Sequence, residues 1–172
     1  MKKFFLLLTL MFVAFFTVKS QEEEDPDKVK MGDWMPAFTI VSDNGMTISS
    51  AEFNGKVILI TMFATWCPPC QQKLAEIEKS LWPKYKDVKD FALLVIGREH
   101  SDAELIEYNK TKGFTFPLYP DKDRKIFDLF AIQYIPRTYL INKEGKIIYR
   151  ITGFNPEEFN QLERMIDRAI NQ

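Results

Sequence analysis

Cys67 and Cys70 are the only cysteines in the 172-residue chain, and they stand in the run Trp66-Cys67-Pro68-Pro69-Cys70. A C-x-x-C pair suits thiol–disulfide exchange, in which a thiolate attacks a disulfide sulfur and a second thiol resolves the mixed disulfide. The apolar run Val57-Ile58-Leu59-Ile60 upstream reads as a buried strand, and Leu74, Ile77 and Leu81 downstream recur at i, i+3, i+7 as on a helix. The pair is therefore expected at a strand-to-helix junction, on a helix's first turn. With Cys67 as the N-cap, Pro68 and Pro69 fall at N1 and N2, where a missing N–H costs little. The N–H of Cys70 then faces the Cys67 sulfur, and the positive end of the helix favours an anion there. Cys67 is expected to carry a lowered pKa and to attack; Cys70, one turn on, is expected to resolve. Pro68 and Pro69 tune the couple through helix geometry.

Two blander uses of the pair fit less well. A C-x-x-C loop is too short to staple distant parts of a chain. Two cysteines and the single histidine, His100, cannot fill the usual four-ligand zinc site within one chain, so no metal is expected. Trp66 offers an apolar rim beside the reactive sulfur, with core packing as its alternative.

The motif resembles the active site of the thioredoxin superfamily, and within it the exported TlpA-like or ResA-like thiol–disulfide oxidoreductases of the redoxin group. The resemblance extends to Gly32-Asp33-Trp34-Met35-Pro36-Ala37-Phe38, to Gly55-Lys56-Val57, and to Ile135-Pro136-Arg137-Thr138-Tyr139-Leu140-Ile141 followed by Gly145-Lys146. It spans about Met31 to Ile170. It implies an α/β thioredoxin fold: a central mixed sheet flanked by helices, with an N-terminal β-hairpin and a helix–strand insertion. It also implies a cis bond before Pro136, set against the C-x-x-C, where the backbone of Ile135 pairs with an extended client segment. No cofactor beyond the Cys67–Cys70 couple is implied. The implied task is reduction of exported proteins, such as apocytochromes awaiting haem or proteins with wrong disulfides. Electrons would come from a membrane thiol donor.

The chain departs from the pattern at two places. Plain thioredoxins hold a buried aspartate six residues before the first cysteine, where this chain has Thr61. ResA-type relatives hold a glutamate three residues after the second cysteine, where this chain has Lys73. Water, Lys73 or a group on the loop Arg98-Glu99-His100 would then have to carry the Cys70 proton. Glu99 is a candidate because the carboxyl ends of α/β strands face the site.

The elements that must position this site follow from pattern. Met1-Lys2-Lys3 and the apolar run Phe4 to Val18 read as a signal peptide ending at Ser20, with an uncleaved anchor as the alternative. That predicts an exported, periplasmic protein. Residues 21–30 read as a solvated acidic leader and 31–172 as one domain. The whole chain has 23 basic and 24 acidic residues; residues 1–20 hold three of the lysines and no acid, which leaves a net charge of −4. That gives no support for nucleic-acid binding. A monomer is expected.

A hairpin is expected over Phe38–Ile48 with Asn44-Gly45 at its turn, and a capping box at Ser49–Glu52. Strands are expected at Lys56–Phe63, Phe91–Ile96, Phe114–Tyr119 (an edge, because of Pro117), Thr138–Asn142 and Lys146–Thr152. Helices are expected from Cys67 to a stop or kink at Trp82-Pro83, from Ser101 to Gly113, over Asp121–Phe130, and from Asn155 with Phe159, Leu162, Ile166 and Ala169 inward.

Two other functions compete with thiol–disulfide exchange. A peroxiredoxin-like peroxidase would need threonine or serine three residues before its reactive cysteine, where Ala64 stands. A non-catalytic module could hold polypeptides on the Ile135-Pro136 edge.

Overall fold

The computed structural model describes residues 25–172. The expected signal peptide and the start of the acidic leader lie outside those residues. Five strands form one mixed sheet in the order β5-β4-β3-β6-β7. They are β3 (Val57–Phe63), β4 (Phe91–Arg98), β5 (Leu118–Asp121), β6 (Arg137–Ile141) and β7 (Ile147–Thr152). β3 runs parallel to β4 and antiparallel to β6, so the strand that leads into Cys67 is central. All seven β3 residues are buried, as a strand covered on both faces requires. Val57, Leu59 and Phe63 face one core with the helix α5 (Pro156–Ile170). Ile58, Ile60 and Met62 face another, with Phe38, Phe127 and Phe130.

β1 (Thr39–Val41) and β2 (Thr47–Ser49) make the expected separate hairpin, and Gly45 takes the left-handed turn position at φ 81°. The capping boxes at Ser49/Glu52 and Ser101/Glu104 both form. The second opens α3 (Asp102–Lys112), which Gly113 ends in the left-handed conformation. Asn155 caps α5, whose Phe159, Leu162, Ile166 and Ala169 are buried.

Four expectations change. The active-site helix does not stop at Trp82-Pro83. α1 (Pro68–Glu76) passes through a π-helical stretch, Ile77–Leu81, into α2 (Trp82–Tyr85). The wider turn gives the Pro83 ring the room that an α-turn denies it, and it needs no N–H from Pro83. The edge strand begins after Pro117, not at Phe114. The Asn109 side chain accepts from the Phe114 N–H at 2.9 Å and donates to its carbonyl at 3.0 Å, which keeps Phe114 at the helix end. Phe116 drops into the core.

The helix expected over Asp121–Phe130 shrinks to α4 (Phe127–Phe130). Asp121 belongs to β5, and its carboxylate accepts from the Ile126 and Phe127 N–H groups at 3.0 and 2.8 Å. A side-chain acceptor replaces the first helical turn. Finally, residues 25–30 are not a solvated leader. Val29 is buried and Asp27 pairs with the buried Arg137. An acidic run solvates only where no cation waits for it in the fold.

Candidate functional site

β3 ends at Phe63, and the turn Ala64-Thr65-Trp66 hands the chain to α1 at Cys67. Two side chains hold that turn. His100 Nε2 accepts from the Thr65 N–H at 3.0 Å, and Gln71 Nε2 donates to the Thr65 carbonyl at 2.9 Å. Cys67 is the N-cap of α1 in extended backbone, with Pro68 and Pro69 following. The Cys70 N–H points at Cys67 Sγ, 3.3 Å away, and the two cysteines are joined as a disulfide. Both cysteines are buried, while Pro68, Pro69 and Trp66 are exposed. Trp66 is 63% exposed, which sets aside its core-packing alternative; the Arg98 guanidinium lies 5.7 Å from its ring centre.

The Ile135–Pro136 bond is cis. The Pro136 carbonyl accepts from the Gly153 N–H at 2.8 Å, and the Ile135 carbonyl lies 3.9 Å from Cys67 Sγ. The loop before β6 thus touches the disulfide, although 65 residues separate Cys70 from Ile135.

Lys73 lies under the site. It stands three residues beyond Cys70 on the buried face of α1, a spacing that makes the two side chains neighbours. Its Nζ donates to Thr138 Oγ1 at 2.7 Å, and Thr138 and Thr61 share a hydroxyl–hydroxyl bond of 2.8 Å. Lys73 is only 2% exposed, and burial pulls its pKa down to about 7 against the attraction of Glu158. Glu99 turns elsewhere: its carboxylate lies 3.0 Å from Arg98 and 4.0 Å from Arg124. The sequence offers His100 as one member of the Arg98-Glu99-His100 loop, without the role it takes in the fold. Here it is a buried acceptor, and burial lowers its pKa more than Glu104 and Glu99 raise it. The one available signal was a lone histidine in the loop that follows a strand parallel to the active-site strand. Among the described residues no cluster of side chains could hold a metal ion, and no helix is long and apolar enough to cross a membrane.

The Redoxin family model matches residues 30–166. The thiol-disulfide oxidoreductase ResA of Bacillus thuringiensis (strain Al Hakam) is 28% identical over 158 residues, covering 92% of this chain and 89% of its own length. The ResA of Bacillus subtilis (strain 168) is 26% identical over 150 residues, covering 86% and 82%. Among solved structures, a candidate protein disulfide isomerase from Bacteroides thetaiotaomicron matches with a TM-score of 0.81 at 34% identity, over 86% of this chain and 94% of that one. A DsbE-type interchange protein from Chlorobium tepidum, at 23% identity and a TM-score of 0.73, shares the fold.

Proposed function

The chain belongs to the Redoxin family, and from that membership we propose that it is an exported thiol–disulfide reductase of folded or folding proteins. Its activity class is that of its relatives: a thiol–disulfide oxidoreductase built on Cys67 and Cys70. The observation that carries the reading is the disulfide at the N-terminus of α1 with the Ile135 carbonyl 3.9 Å from Cys67 Sγ. An exchange couple lies beside a backbone edge that a client can pair with.

In the proposed reaction the Cys67 thiolate attacks a client disulfide. The Cys67–client S–S bond forms, the client bond breaks, and one client sulfur leaves as a thiolate that takes a proton from water. The Cys70 thiol then loses its proton and attacks Cys67 Sγ. The Cys67–Cys70 bond forms and the second client sulfur leaves. Two electrons pass from the dithiol to the client. A membrane thiol donor returns them by the same exchange in reverse.

Trp66, Pro68, Pro69, Ile135 and Pro136 form the surface the client meets. Lys73 takes the Cys70 proton, in preference to Glu99. Its support is position: it is buried one turn from Cys70, whereas Glu99 is engaged by two arginines. The amine can pass its proton outward through the narrow cleft it shares with Glu158 and Asn155. The protein works as a monomer in the periplasm and needs no further cofactor.

Pro68 and Pro69 support the direction of electron flow. They remove two N–H groups from the helix end and leave Cys70 as the donor to Cys67. A thiolate with fewer donors stabilises the reduced form less, which makes the couple more reducing. Equilibration with defined thiol buffers tests this. The expected potential lies toward that of thioredoxin, about −270 mV; a value near DsbA's, about −120 mV, would overturn the reductase direction and leave the exchange chemistry standing.

A further inference from the structure

The segment 25–30 crosses the residues that lead into the cis-proline loop. Asp27 and Ala131 form an antiparallel bridge. Beside it the Lys28 N–H donates to the Phe130 carbonyl at 2.9 Å, and the Ile132 N–H donates to the Pro26 carbonyl at 2.8 Å. The Asp27 carboxylate then gathers three partners: Arg137 Nη1 at 2.6 Å, Arg150 Nη1 at 2.7 Å, and the Tyr139 hydroxyl.

Arg137 is the informative partner. It follows Pro136 directly, and its side chain is 1% exposed. Its Nε donates to the Gln133 carbonyl at 2.8 Å. Its Nη2 has no hydrogen-bond partner among the described residues. Without Asp27, the guanidinium would be a buried cation holding one carbonyl. A buried charge that loses its partner moves or drags its surroundings. Between Gln133 and Pro136 sits Tyr134 at φ 66°, a conformation that a side chain adopts only where neighbours impose it. Tyr134 is exposed, so its own side chain does not impose it. The Arg137 Nε–H grips the carbonyl of the residue just before Tyr134, and Asp27 holds Arg137.

We propose that Asp27 is a positioning residue for client recognition: through Arg137 it holds residues 133–136 in the conformation that an extended client segment pairs with. The inference rests on the thiol–disulfide exchange reading and adds to it a determinant from outside the sheet. The client contacts the loop; Asp27 decides whether the loop is ordered before the client arrives. A loop that must order on binding weakens the complex and leaves the sulfur chemistry alone.

Two probes separate the effects, both used with the pre-reduced full chain. Insulin is a protein disulfide that needs the loop. 5,5′-Dithiobis(2-nitrobenzoate) is a small aromatic disulfide that reaches Cys67 without backbone pairing. Asp27→Asn should raise the insulin concentration needed for half-maximal rate by about five- to tenfold, the size expected for ordering a short loop on binding. Its rate with the small disulfide should stay within about twofold of the parent. If Asp27→Asn does not fold, Arg137→Lys is read the same way, because an ammonium cannot bridge the Gln133 carbonyl and Asp27 as a guanidinium fork does. An unchanged insulin reaction, or equal losses with both probes, overturns the proposal. A parent protein that reduces neither probe removes the exchange reading, and the proposal with it.

Discussion

Lys73 is a lysine whose hydrogen-bond partner is a hydroxyl and not a carboxylate. Its folded pKa of about 7 lies well below the ordinary 10.5. Between those values the unfolded chain holds the proton and the oxidised folded protein does not. The unfolded state therefore binds more protons there, and stability rises with pH from about 7 toward 10. Replacing Lys73 by Met should stabilise the oxidised protein at pH 7 by up to a few kcal/mol and flatten that rise; urea unfolding at pH 7 and pH 9.5 measures both. The same variant should slow attack by Cys70 on the order of tenfold or more, so that mixed disulfides with a client accumulate. A stable variant that resolves at the parental rate would remove Lys73 from the mechanism. The sequence shows Lys73 three residues beyond Cys70. It does not show the neutral amine, because the burial comes from β6 and α5, distant in the chain. His100 is the reverse case: its type is suggestive, but the N–H it accepts lies 35 residues away.

Elements carry this site by close approach as much as by hydrogen bonds. Gly97, in β4, lets α3 lie tightly on the sheet. A Cβ there would meet Leu105 Cδ2 at 2.7 Å and the His100 Cβ at 3.3 Å. Gly97→Ala should cost about 1–3 kcal/mol, as overpacked cores do, and should push His100 off the Thr65 turn. Thermal unfolding measures the first effect; slower reaction of Cys67 with a small disulfide measures the second. Elements with local punctuation were legible in the sequence. The two capping boxes, Gly113 and the Asn155-Pro156 start all form where spacing places them. The misread stretches are those where a side chain stands in for the backbone. Asp121 takes two N–H groups that a helix would have used, and Asn109 takes one that a strand would have used. The π-helical passage before Pro83 belongs with them, since proline forbids an α-turn without saying what replaces it.

At the scale of the molecule, β3 belongs to both cores. Its odd-numbered residues Val57, Leu59 and Phe63 face α5, and its even-numbered Ile58, Ile60 and Met62 face Phe38, Phe127 and Phe130. Neither core survives loss of the strand. The oxidised protein should therefore unfold in urea as one transition, with near- and far-ultraviolet circular dichroism coincident; separated midpoints would show the two cores to be independent. The layered α/β plan and the position of the cysteines were legible because they follow from periodicity and one motif. The tie between Asp27 and Arg137 was not, because it joins residues 110 apart and an acidic run gives no sign of which of its members will be buried. The strand shared by two cores also sets a clock. The β3 platform beneath Cys67 should open only when the whole molecule does, so its amides should exchange hydrogen at the rate set by global unfolding. The strand end that presents the active-site turn then lasts as long as the folded chain does.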